Sequence, residues 1–194
     1  SNPDVRSKGE RASLLAMSLS VLLVSAGERV SLMGTEASPP RTGRAQLNRM
    51  ATALTSDFAN ERPDYGAPPA DSLARGGRAV FLSDFLGNPD AMVPILSQAA
   101  DLGVRGCFVQ ILDESEETFP FDGRVVFESM AGATEFETQR AKSLREAYGE
   151  RLGARRARLE ELARTLGWRV LFHRTSESPR VALLWLYMAI GEPT

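Results

Sequence analysis

The stretch Ala79-Val-Phe-Leu-Ser-Asp-Phe85 sets the reading of the whole chain. Four apolar residues run without a polar break and stop at Ser83 and Asp84. Such a run reads as a strand buried on both faces, the pattern of a parallel sheet. Gly87 and Asn88-Pro89 then turn the chain into a helix, with Asn88 suited to the N-cap and Pro89 to the first helical position. A hydroxyl and a carboxylate thus fall at the carboxyl edge of the sheet, where open α/β sheets place their ligands. Asp84 either caps the loop or faces a ligand, and this stretch alone leaves both open.

Working outward, the same punctuation recurs. Residues 7–26 repeat apolar side chains along two helical stripes, Ala12-Leu15-Leu19-Leu22 and Leu14-Met17-Val21-Val24, so this helix is covered on both sides. A short strand is expected over 29–33, a loop over 35–43, a helix over 44–57 and a long Pro- and Gly-rich loop over 60–77. A helix over 89–102 follows the axial strand, and a second continuous apolar strand over 106–112 ends in the acidic run Asp113 to Glu117. Thr118-Phe-Pro-Phe-Asp-Gly123 turns the chain into a short edge strand over 124–128. A long helix over 135–166, a strand over 168–173 and a closing helix from Pro179 to about residue 190 complete the order. Alternation of this kind predicts an α/β fold, a doubly wound and mainly parallel sheet with helices on both faces and one short antiparallel edge strand. The expected unit is a single domain over residues 7–191, with residues 1–6 a flexible polar end.

Composition narrows the function classes. The 194 residues suffice for one α/β domain with a real core. Hydrophobic residues make up 43%, charged residues 25%, and net charge is −2, so no basic field invites nucleic acid. The most apolar early segment, 14–24, is broken by Ser18 and Ser20 and is too short to span a bilayer. A soluble, cytoplasmic protein is expected. The single cysteine, Cys107, lies inside an apolar run and reads as a core thiol rather than a nucleophile. His173, the only histidine, sits in an apolar strand and reads as structural. Arg155, Arg156 and Arg158 are interleaved with Glu160 and Glu161, the pattern of a salt-bridged helix face.

Several stretches together resemble the bacterial family called DUF58, whose core is a von Willebrand factor A-like domain. They are Ser7-Lys8 before the first helix, Ala26-Gly-Glu-Arg-Val-Ser-Leu32, Pro40-Arg-Thr-Gly-Arg-Ala-Gln-Leu47 and Val80-Phe-Leu-Ser-Asp-Phe85. The most specific is Ile111-Leu-Asp-Glu-Ser-Glu-Glu-Thr-Phe-Pro-Phe-Asp-Gly123, followed by Tyr148 and Ala182-Leu-Leu-Trp-Leu-Tyr187. The resemblance implies an open sheet wrapped by helices with a divalent-metal site at its carboxyl edge. Asp84 matches the aspartate of that site and Thr42 its threonine, though Arg41-Thr42-Gly43 departs from the usual pattern. The Asp-x-Ser-x-Ser motif of the first strand is absent, so the chain looks like a C-terminal piece of a longer protein that lacks this strand. The neighbours of a missing strand are expected either to close up or to take a strand from another chain, because unpaired buried backbone is costly.

Asp84, Thr42 and Ser83 offer too few oxygens for Mg²⁺, which wants about six. A partial, empty site is therefore expected here, no cofactor in this chain, and Mg²⁺ only in a full-length protein. Asp113, Glu116, Phe119 and Phe121 are candidates for a partner-binding rim, although an acidic run also reads as a solvated loop, and the phenylalanines as anchors of that loop. The expected function is protein–protein interaction without enzymatic activity. The resemblance implies an adaptor working with a MoxR-type AAA+ ATPase. The alternatives are a metal-assisted phosphoryl hydrolase using Asp84 and Asp113, and a structural subunit that forms a homo-oligomer through its long helix.

Overall fold

The computed structural model describes residues 7–33, 39–57, 73–118, 125–128, 135–138 and 141–191. Helix α1 spans Lys8–Ser25 and α2 Arg44–Asp57, followed by strand β1, Arg78–Ser83. A 3₁₀ turn at Pro89–Met92 leads into α3, Val93–Asp101, and strand β2, Arg105–Leu112. The short α4, Glu114–Thr118, precedes β3, Val125–Glu128, and β4, Glu135–Thr138. The long α5, Ala141–Leu166, then β5, Arg169–Arg174, and α6, Pro179–Gly191, close the chain.

The fold is mixed α/β. Three parallel strands form the sheet in the order β1-β2-β5, with Phe81 beside Phe108 and Val109 beside Leu171. Residues Cys107 to Leu112 of β2 are all buried, as a central strand covered on both faces requires. Side chains alternate across it. Phe108 points to one face, where Phe81, Phe85 and Trp168 gather with Ile95 and Leu96 of α3 and Leu159 of α5. Ring centroids lie 5.3 Å apart for Phe108–Trp168 and 5.7 Å for Phe81–Phe108. Cys107, Val109 and Ile111 point to the other face, against Leu15 and Leu19 of α1 and Ala182, Leu186 and Ile190 of α6.

Local chemistry sets the helix ends. Ser7 caps α1 in a capping box with Glu10, and Gly27, at φ +86°, lies just past its end. The helix expected over 89–102 is divided. Asn88 caps the 3₁₀ turn as expected, but Pro94 has no N–H to give a preceding helical turn, so α3 begins anew with that proline in its first turn.

Three expected elements differ. Residues 29–33 are not a sheet strand; Val30 and Arg41 form one isolated antiparallel bridge, and β1 pairs only with β2 among the described residues. Residues 124–128 do not edge the main sheet. They supply β3, which pairs with β4 in a separate two-stranded sheet, Phe127 in register with Phe136. The long helix therefore starts at Ala141 rather than 135, because Glu135-Phe-Glu-Thr138 alternates with the period of a strand. Residues 1–6 and most of the 60–77 loop lie outside the described residues. No helix among the described residues is long and apolar enough to cross a membrane.

A buried polar tie joins α1 to the end of β5. The Arg11 guanidinium donates to the carbonyls of Thr175 at 2.6 Å and Glu177 at 2.7 Å, and to His173 Nε2 at 3.2 Å. His173 therefore carries its proton on Nδ1, which faces the Glu177 carboxylate at 3.3 Å. Burial, reinforced by the Arg11 charge, holds the imidazole below its usual range despite Glu177. The unfolded chain then binds this proton more readily than the folded one. Stability from this site is complete above about pH 6.5 and is lost as pH falls from there through the lower, folded-state value. Urea denaturation at pH 7 and pH 5 checks this, and His173→Gln is expected to flatten the difference.

A second prediction concerns Gly106. A Cβ there would run into the Ala79 carbonyl oxygen of β1 and meet the Trp168 ring at 3.0 Å. Gly106→Ala is expected to cost about 2–3 kcal/mol of stability, since neither neighbour can yield, while Gly149→Ala on open α5 surface costs nothing. Chemical denaturation of both variants makes the comparison.

Candidate functional site

The carboxyl ends of β1, β2 and β5 share one edge, and the polar side chains of three helices and two strand ends meet there. At the end of β1 the chain turns sharply. Ser83 Oγ accepts from the Phe85 N–H at 3.1 Å and Asp84 Oδ1 from the Leu86 N–H at 3.1 Å. Phe85 takes φ +50°, a left-handed conformation disfavoured for a side chain with a Cβ. Its ring is buried edge-on against Phe108, and that burial holds the residue in place.

Gln110, 1% exposed, is the lone amide among the buried residues of β2. Its Nε2 donates to the Asp84 carbonyl at 2.8 Å and its Oε1 accepts from Arg156 Nε at 2.9 Å. The Arg156 guanidinium also lies 4.8 Å from the Phe172 ring centre. Arg156 thus turns inward and pins α5 to the strand ends, a correction to its reading as part of a salt-bridged helix face. Arg158 does fit that reading, pairing with Glu161 at 2.8 Å and with Asp90 at 2.7 Å.

The cation at this edge is Lys8. Its ammonium bridges Asp84 Oδ2 at 2.9 Å and Glu116 Oε1 at 2.6 Å. Burial works against the charge, but hydrogen bonds to Glu116 and Asp84 more than offset it and raise the pKa. Glu116 Oε2 also accepts the Asp113 N–H at 3.0 Å, which fixes α4 at the rim. Asp113 accepts from the Ser115 hydroxyl at 2.7 Å and the Thr175 hydroxyl at 3.3 Å. Those donors, led by Ser115 and joined by the Lys8 charge, hold its carboxyl below the usual range. Tyr148 of α5 sits close enough for the Glu116 and Asp84 charges, added to burial, to raise its phenol.

The structure therefore brings Asp84, Asp113 and Glu116 together around Lys8. Ser83 lies beside them with its oxygen engaged by its own turn, and no hydrogen bond ties the exposed Thr42 to Asp84. Phe119 and Phe121 lie outside the described residues. A divalent ion does not fit this donor set, because an ammonium already sits between the two carboxylates that would bind it. No group of three His, Cys, Asp or Glu able to hold a metal occurs among the described residues. Sequence reasoning missed Lys8, Gln110 and Arg156. Only Gln110 left a signal, a single polar residue inside an apolar strand. Cys107, placed in the core, has its thiol pushed up to about 12 by burial.

The charge balance is testable. Lys8→Met leaves two carboxylates facing each other, and is expected to cost about 1–2 kcal/mol at pH 7. In the wild type folding raises the ammonium pKa, so its contribution is present below about pH 10.5 and is lost as pH rises through the folded-state value. Denaturation of both proteins across this range measures it.

The family model described as protein of unknown function DUF58 matches residues 3–158. No curated protein and no solved structure matches the chain.

Proposed function

The chain belongs to the DUF58 family, and we propose that it acts as a protein–protein interaction module whose docking surface is the carboxyl edge of the sheet. The observation that carries this reading is the convergence on one rim of charged groups from α1, α4 and the ends of β1 and β2, with the Thr175 hydroxyl from the β5–α6 turn. The bridge residues stay partly exposed, so a fixed pattern of charge faces outward. Preformed charge of this kind favours recognition and fast encounter over chemistry. In this proposal the sheet is the doubly wound core of a von Willebrand A-like domain. Lys8 then stands where the degenerate metal site would hold its ion. By family analogy the partner is a MoxR-type AAA+ ATPase in the cytoplasm, with the chain as its adaptor.

The alternative, a metal-assisted phosphoryl hydrolase through Asp84 and Asp113, draws less support. Asp84 is committed to Lys8 and to its own turn, and Asp113 to Ser115 and Thr175.

The test is capture of a MoxR-type AAA+ ATPase, with nucleotide and with or without Mg²⁺. The immobilised wild type is expected to retain it without Mg²⁺, and Asp84→Asn with Glu116→Gln to weaken retention at least about tenfold. No capture by the wild type under any of these conditions would sink the proposal.

A further inference from the structure

Helix α6 has an outer face that the other described residues leave uncovered. After Arg180 its sequence, Val-Ala-Leu-Leu-Trp-Leu-Tyr-Met-Ala-Ile-Gly191, carries no charge. The inner side is spent on the core, where Ala182, Leu186 and Ile190 pack with Leu15 and Leu19. The outer side holds Val181, Leu184, Tyr187 and Met188, which are 69%, 61%, 46% and 53% exposed, and α1 extends it with Val21 and Leu22. A shallow notch between the two helices is lined by Leu22, Arg180, Leu183, Leu184 and Tyr187. A helix apolar all the way round is normally covered all the way round.

Area and symmetry point to the cover. The six exposed side chains present roughly 600 Å² of apolar surface, at the upper end of what a monomer leaves open. Burying two such patches against each other removes about 1,200 Å², the lower bound for a specific interface. The face also reads alike in both directions from Leu184. Val181 lies three residues before it and Tyr187 three after; Arg180 lies four before and Met188 four after. Two antiparallel α6 helices crossing at Leu184 would set Val181 against Tyr187 of the second copy. Arg180, the only charge on the face, would reach the ring of that same tyrosine, which accepts a cation over its face. Each copy offers what the other takes, the requirement of a two-fold interface. We propose that a second copy of this chain covers the α6 face, the two helices packing antiparallel about Leu184. The inference stands apart from the reading of the charged rim.

The experiment uses the 194-residue chain. Leu184→Cys places a thiol on the two-fold axis, and the native Cys107 is fully buried and silent. Mild oxidation at micromolar concentration is expected to link most of the protein as a dimer. Val93→Cys, exposed on the opposite side of the sheet, is expected to link far more slowly. Sedimentation velocity is expected to show a wild-type dimer that dissociates on dilution. Leu184→Glu and, independently, Val181→Lys should each raise the dissociation constant at least about tenfold with unchanged circular dichroism. A wild type that stays monomeric at about 100 μM, well above the Kd of a specific dimer, would overturn the proposal. So would Leu184→Cys crosslinking no faster than Val93→Cys, or a dimer indifferent to both charge substitutions.

Discussion

The structure depends on a strand that must be covered twice. Every residue of β2 from Cys107 to Leu112 is buried, and alternate side chains leave for opposite faces. Neither face can meet water, so each needs its own pair of helices, α3 with α5 on one and α1 with α6 on the other. The close approach of β1 and the Trp168 ring over Gly106 leaves no room for a side chain where this strand begins. With six buried residues in a row, β2 gains far more from burial than either of its neighbours. Its position therefore fixes theirs.

That constraint explains what could be read from the residues. Apolar runs at Ala79 to Leu82 and, broken only by Gln110, at Cys107 to Leu112 announced a parallel sheet, because only a strand covered on both faces can dispense with alternation. Ser7 and Asn88 marked helix starts through side-chain bonds to backbone only a few residues away, Gly27 an end through its left-handed φ and Pro179 a start through its fixed φ, and such local chemistry survives in the order of residues. Residues 29–33 misled because, of their three apolar residues, only Val30 is fully buried, and the backbone pairs through a single bridge to Arg41. Residues 135–138 misled in the other direction, since a long helical pattern downstream outweighed a four-residue alternation.

The rim was harder to read because its logic is long-range. Asp84 was found from its place at a strand end, and Asp113 and Glu116 from the next. Their shared partner lies 76 residues from one and 108 from the other, on a helix whose sequence advertises only its apolar stripe. A cation supplied by the polypeptide has a different consequence from one drawn from solution. It is always present, it carries a single charge, and it fixes the spacing of the carboxylates by the length of one side chain. Gln110 and Arg156 extend the same principle, tying the backbone of the β1 turn to α5 through neutral and charged hydrogen bonds.

The pairing of α1 with α6 sets a schedule for biosynthesis. The carbonyls that receive the Arg11 guanidinium belong to residues 164 and 166 positions later in the chain. At ordinary ribosomal speeds that distance takes on the order of ten to thirty seconds to make. Throughout it, the Leu15–Leu19 stripe emerges without the helix that finally shelters it. A nascent chain of this design leaves that stripe unsheltered until its last helix closes over it.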